Sequence, residues 1–130
     1  MYLAESLEDA QGVRWPMAGL LHARTRWVRG RLHLGYREIV TSASSLLGPA
    51  GTRARGHEFH ASELEPPPAS VERVYRIDDG RIDDGRTGGF AGAPGRAEGY
   101  LVGRALMSYV HLHWASSPGI ATRFVEACRA

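Results

Sequence analysis

The sequence contains no lysine: all 16 of its cationic residues are arginine. A bias toward GC-rich codons accounts for that more simply than chemistry does. The net charge is only +2, and the arginines are scattered among 14 acidic residues. A nucleic-acid surface needs cations gathered on one face with aromatics between them, so no nucleic-acid partner is expected. Cys128 is the single cysteine, which excludes an internal disulfide and fits a reducing compartment. A nucleophilic thiol needs a fixed place beside a base or a helix N-terminus. Cys128 instead closes the apolar-patterned run Phe124-Val125-Glu126-Ala127 and reads as a packing residue. No apolar run approaches the roughly 20 residues that span a bilayer, and no basic-plus-apolar leader opens the chain. The expectation is a soluble, cytoplasmic protein with no membrane partner. Its 130 residues suffice for one domain or most of one, and its 43% hydrophobic content is ordinary for a globular chain.

Residues 1–10 read as a helix, with Leu3 and Leu7 at helical spacing and Gly12 as its stop. No Ser, Thr, Asp or Asn precedes its first apolar residue, so the chain enters this helix already running. Trp15-Pro16-Met17-Ala18-Gly19-Leu20-Leu21 reads as a short buried strand after a turn. Residues 25–28 and 32–40 are candidate strands, with Gly30 and Gly35 marking a turn or bulge. Residues 42–52, with Gly48, Pro49 and Gly51, form a loop, and residues 56–62 another strand, ended by Pro66-Pro67-Pro68. Residues 71–77 alternate as a strand does.

The run Arg76-Ile77-Asp78-Asp79-Gly80 is repeated as Arg81-Ile82-Asp83-Asp84-Gly85, which suits a slipped repeat in a tolerant surface hairpin. It lacks the twelve-residue pattern and closing Glu of a calcium loop. Residues 87–96 are glycine-rich and read as mobile. A strongly apolar stretch follows over residues 100–102 and 105–114. Ser116-Ser117-Pro118 then caps a closing helix over residues 120–130, with Ile120, Phe124, Val125 and Cys128 on one side. The pattern implies α/β, but an incomplete one, since a doubly wound sheet needs more crossover helices.

Three segments carry chemistry: Arg55-Gly56-His57-Glu58-Phe59-His60-Ala61-Ser62, Ser108-Tyr109-Val110-His111-Leu112-His113-Trp114-Ala115-Ser116, and Trp15 to Leu21 with Leu34-Gly35-Tyr36-Arg37. In a strand His111 and His113 point to the same face. They read either as half-buried histidines satisfied by backbone groups or as a general base. A zinc site is a third reading, but His57 and His60 lie three apart and face opposite sides of a regular strand, and no His-Glu-x-x-His helix is present. No metal is expected.

The same segments resemble, at similar spacing, those of the amidotransferase domain of cobyrinate or hydrogenobyrinate a,c-diamide synthases. Gly56-His57-Glu58-Phe59-His60 and Tyr109-Val110-His111-Leu112-His113 are the most specific; cobyric acid synthases are similar but less close. The match runs from Met1 to Cys128 and is weakest across the Asp-Gly repeat and residues 87–94. The resemblance implies that residues 1–130 are the C-terminal portion of a class I glutamine amidotransferase domain of flavodoxin-like α/β fold, without its N-terminal strands. The whole family enzyme uses ATP and Mg2+ in an N-terminal domain to activate the a and c carboxylates of a corrin. Its C-terminal domain hydrolyses glutamine through a cysteine thiolate and delivers the ammonia. By resemblance His111 is the general base and His113 its support, where many related enzymes carry Glu. His57, Glu58 and His60 line or brace the glutamine pocket.

The family elbow reads Cys-Gly-Gly-Leu followed by Met-Tyr-Leu, and this chain opens on Met1-Tyr2-Leu3. The expectation is therefore a chain with no nucleophile, no ATP-binding domain and no cofactor of its own, inactive alone and marginally stable. Its partner would be a separately encoded N-terminal ATP-binding portion if the enzyme is split, and an in-frame Cys-Gly-Gly-Leu run upstream would instead mean a truncated gene or misplaced start. A non-enzymatic subunit of such a split enzyme and a histidine-metal protein are the other readings.

Overall fold

The computed structural model describes residues 1–78 and 95–129. They form two sheets and one α-helix. The first sheet has the order β2-β1-β3-β6, from β1 (Ala4–Glu8), β2 (Arg14–Pro16), β3 (Leu21–Trp27) and β6 (Ser62–Leu64). The second has the order β10-β5-β4-β7-β8-β9, from β4 (His33–Thr41), β5 (Arg53–His60), β7 (Glu72–Asp78), β8 (Ala97–Val102), β9 (Ala105–Met107) and β10 (His111–Leu112). A 3-10 turn at Trp114–Ser116 leads into α1 (Pro118–Arg129), whose proline sits at the first helical position. Among the described residues the β1–β3 pairing is parallel and the other ladders are antiparallel. The result is a sheet-rich α/β domain.

Alternation dictates both sheets. In β3, Leu21, Ala23 and Thr25 are buried and the residues between them exposed; in β5, Ala54, Gly56 and Glu58 are buried while Arg53, Arg55, His57 and Phe59 face out. Buried Ile39, Ala54 and Ile77 on β4, β5 and β7 meet Leu47 of the 42–52 loop, Val110 and Ile120 of α1 in one core. A second core joins the sheets, with Leu21 and Ala23 of β3 against Met107 of β9, flanked by Leu64, Tyr100 and Val102. Burial of such side chains contributes about 1.5–3 kcal/mol each.

Three sequence expectations are corrected. Residues 1–10 are not a helix. Ala4 and Ser6 are buried with Glu5 exposed between them, and β1 is held by β2 on one side and β3 on the other, so ladder pairing overrides the Leu3/Leu7 spacing. The Trp15 segment is not a buried strand: β2 is an edge strand with all three residues exposed, and Trp15 Nε1 donates to Asp9 Oδ2 at 2.7 Å. Cys128 is exposed rather than packed, because Ile120 near the start of α1 is the helix's buried residue. The second copy of the Asp-Gly repeat and most of the glycine-rich run lie outside the described residues.

Two glycines are fixed by close approach. A Cβ on Gly56 would collide with the backbone carbonyl of His111, so only glycine lets β10 lie against β5. Gly99 has φ +75°, and its Cβ would enter the ring of buried Tyr75. Gly99→Ala combines backbone strain with overpacking. It is expected to lower stability by about 2–4 kcal/mol, read as the urea midpoint of unfolding; an unchanged midpoint would contradict this packing.

Candidate functional site

Strand β5 presents Gly56-His57-Glu58-Phe59-His60 as a regular strand, so His57 and Glu58 leave on opposite faces. On the outer face His57 pairs in register with Tyr36 of β4 and with His111 of β10. The two imidazoles meet edge to face, ring centres 4.9 Å apart, with His111 Nδ1 3.3 Å from His57 Nε2. One nitrogen of this pair donates and the other accepts, so each ring fixes the tautomer of its partner. Both residues are exposed. An exposed imidazole with its second nitrogen engaged by a neighbour is the arrangement a general base requires.

His113 stands apart from this pair. Strand β10 ends at Leu112, and His113 is the cap residue of the 3-10 turn, its N–H donating to the Arg55 carbonyl at 2.8 Å. The alternation that would carry His113 to the face of His111 thus stops one residue short. Among the described residues the ring touching His111 is that of His57.

The inner face of β5 carries charge. Glu58 is 1% exposed. Arg37 Nε of the adjacent β4 donates to its Oε2 at 2.9 Å, and Arg96 Nη2 donates to its Oε1. Burial alone would raise its pKa. The imidazole of His60, 4.0 Å away, and the guanidiniums of Arg96 and Arg37 outweigh that and bring it down to about 2. Glu98, also buried, goes the other way: burial raises it above the usual carboxylate range, against the pull of Arg96.

His60 is sandwiched between His33, 4.7 Å away at 11°, and Tyr109, 3.9 Å away at 17°. Its Nδ1 donates to the Ser62 carbonyl at 2.8 Å, which leaves its buried Nε2 without a hydrogen-bond partner, as is His33 Nε2. Burial, with His60 beside it, pushes the His33 pKa down and holds that ring neutral near pH 7. Tyr109 Oη meets Ser62 Oγ at 2.9 Å, Tyr109 N–H donates to Glu98 Oε1 at 3.4 Å, and Tyr75 Oη bonds Ser108 Oγ. The chain leading into His111 is therefore tied to the inner cluster.

His57, Glu58 and His60 do not line one pocket. His57 joins His111 outside, while Glu58 and His60 brace the sheet inside. Sequence reasoning missed Arg96, Glu98 and His33, and gave no role to Arg37 and Tyr109 although both stand in the segments it singled out. Strand parity offered a signal for Arg37: a glutamate at a buried position of β5 calls for a cation at a buried position of the next strand. Among the described residues no three His, Cys, Asp or Glu side chains gather to hold a metal ion.

The chain belongs to a known class of domain. The family model for the CobB/CobQ-like glutamine amidotransferase domain matches residues 1–119, and the chain is a member of that family. It is 42% identical to the cobyrinate a,c-diamide synthase of Syntrophotalea carbinolica, over 99% of this chain and 26% of that protein. It is 38% identical to the hydrogenobyrinate a,c-diamide synthase of Streptomyces coelicolor, over 99% of this chain and 22% of that one. A cobyrinate a,c-diamide synthase of Gloeobacter violaceus is 36% identical, over 100% and 25%. The chain thus spans about a quarter of the length of the curated relatives it matches.

The Glu58 cluster sets an acid limit. Its pKa in the folded chain, about 2, lies below the reference value of 4.5, so its contribution is complete above pH 4.5 and is lost as pH falls toward 2. A shift of that size corresponds to at most about 3 kcal/mol. Glu58→Gln is expected to lower stability at pH 7 by a similar amount and to flatten the acid side of the stability–pH curve. Chemical denaturation across pH 2–7 reads both, and an unchanged acid limb in the variant would contradict the assignment.

Proposed function

We propose that the chain is the C-terminal portion of the glutamine amidotransferase domain of an amidoligase of the cobyrinate a,c-diamide synthase kind. In the assembled enzyme it serves the ATP- and glutamine-dependent amidation of the a and c carboxylates of a corrin, in cobalamin biosynthesis in the cytoplasm. The observation that carries this reading is the family match over residues 1–119, joined to relatives whose names are those of corrin diamide synthases. The partial flavodoxin-like sheet belongs to the proposal too. The parallel β1–β3 pair is the feature of the described residues that supports it.

In this reading His111 is the general base. It takes the proton of a cysteine thiol supplied by the portion of the enzyme that the relatives have beyond this stretch. The thiolate attacks the glutamine amide carbon, the C–N bond breaks, and the imidazolium returns its proton to the departing ammonia. Water then cleaves the thioester to glutamate. His57, in ring contact with His111, orients it; Glu58 and His60 act from the inner face by fixing β5 and Tyr109. His113 has the lesser role, since its place is at the cap of the 3-10 turn. ATP and Mg2+ belong with the ATP-binding portion. No step of this reading runs through them.

The purified chain alone is expected to release no glutamate from glutamine. Turnover that disappears in Cys128→Ser would make Cys128 the nucleophile and contradict the reading. With the elbow and ATP domain supplied upstream, His111→Ala should lower glutamine-dependent amidation by about 10² or more, while ammonia-dependent amidation survives. Near-normal glutamine use in His111→Ala, or a larger loss in His113→Ala, would contradict the assignment.

A further inference from the structure

The outer face of β4 and β5 is divided sharply. One half is suited to water: Arg53 and Arg55 reach Glu38 and Asp78 across three strands. The other half is not. Leu34 is 63% exposed, Tyr36 74% and Phe59 60%, and exposed Leu32 immediately precedes β4. Leu34 lies opposite Phe59, and Tyr36 opposite His57, so the side chains form one patch rather than scattered contacts. Isolated apolar side chains on a surface need no explanation, but a contiguous cross-strand cluster does. His57 and His111 close one end of it.

The geometry points to this face, Leu32, Leu34, Tyr36 and Phe59 beside the His57–His111 pair, as the surface on which the remainder of the amidoligase docks. The occupant is polypeptide equivalent to the three quarters of the relatives that this chain does not span, whether carried on the same chain or another. Two arguments favour it. The relatives possess that additional length, and a contiguous exposed apolar patch rimmed by polar residues marks a protein contact. The apolar patch also borders the exposed histidine assigned as base, which in the proposed function, on which this inference rests, must meet a thiol from outside the described residues. Docking there excludes water from His111 and brings the thiol to it in one step.

The test uses the full chain and, as probe, the portion of the Syntrophotalea carbinolica relative lying outside its match to this chain. Titration calorimetry or sedimentation should show a complex. Leu34→Glu combined with Phe59→Glu should weaken it by about 30-fold or more, as expected for central interface anchors. Phe124→Glu, at the separate cavity of about 410 Å3 beside Trp114, should leave it unchanged. Both sites of change are exposed, and far-ultraviolet circular dichroism verifies that each variant is folded. As an independent reading, Tyr36 should be nitrated by tetranitromethane in the free chain and protected in the complex. No complex, a complex indifferent to the double variant, or a dimer of the chain itself that the double variant dissolves would each overturn the inference. His111→Ala separates the two claims: a complex that forms normally while His111→Ala has no effect on glutamine use overturns the base assignment and leaves the docking surface standing.

Discussion

A single buried carboxylate constrains much of this molecule. Glu58 is buried on the inner face of the second sheet, ionised, with Arg37 and Arg96 upon it. Removing a carboxylate from water costs several kcal/mol, and the two guanidiniums offset that cost only if β4, β5 and β8 hold their present alignment. Because a strand alternates, placing Glu58 inside forces His57 and Phe59 outside. Placing Arg37 inside forces Tyr36 outside by the same rule. A slip of one residue would bury His57 and Phe59 and strand the carboxylate in solvent, losing charge pairing and core together. The outer histidine site is thus the far side of an inner electrostatic constraint.

Strand β10 shows how that constraint reaches His111. It has two residues and lies at the sheet edge, too short to fix its own register. Its alignment comes from its neighbours: Gly56 opens room for the His111 carbonyl, Ser108 is tied to Tyr75, and Tyr109 is stacked on His60 and bonded to Ser62 and Glu98. These are polar contacts between residues distant in sequence. They determine where one imidazole sits, which is the kind of support a catalytic side chain needs from residues that never touch substrate.

Much of the sheet was legible in the sequence. Alternation over residues 71–77 located β7, the strands expected over 32–40 and 56–62 fall on β4 and most of β5, and the one expected over 25–28 covers only the end of β3; glycine and proline placed the 42–52 loop, and Pro118 marked the start of α1, while β6 went unseen. Residues 1–10 were misread because Leu3 and Leu7 suit a helix face as well as a strand whose buried positions are the small Ala4 and Ser6. Trp15 was misread because nothing local distinguishes an edge strand from a central one. At the site, His57, Glu58, His60 and His111 could be named from their motifs, and parity separated His57 from His60. Arg96, Glu98 and Tyr109 could not be found that way: their roles follow from the order β5-β4-β7-β8, which no local spacing encodes. Nor could the early end of β10 that removes His113 from the pair.

The central claim is that β10 lies on β5 in the register that sets His111 against His57 on the outer face. Nuclear Overhauser contacts between histidine ring protons, with each ring assigned by single substitution, test this most directly. The account predicts a contact between the rings of His57 and His111, whose centres are 4.9 Å apart, together with one between His60 and Tyr109, at 3.9 Å. A contact between the rings of His111 and His60, with none between His111 and His57, would place His111 on the inner face and contradict this register.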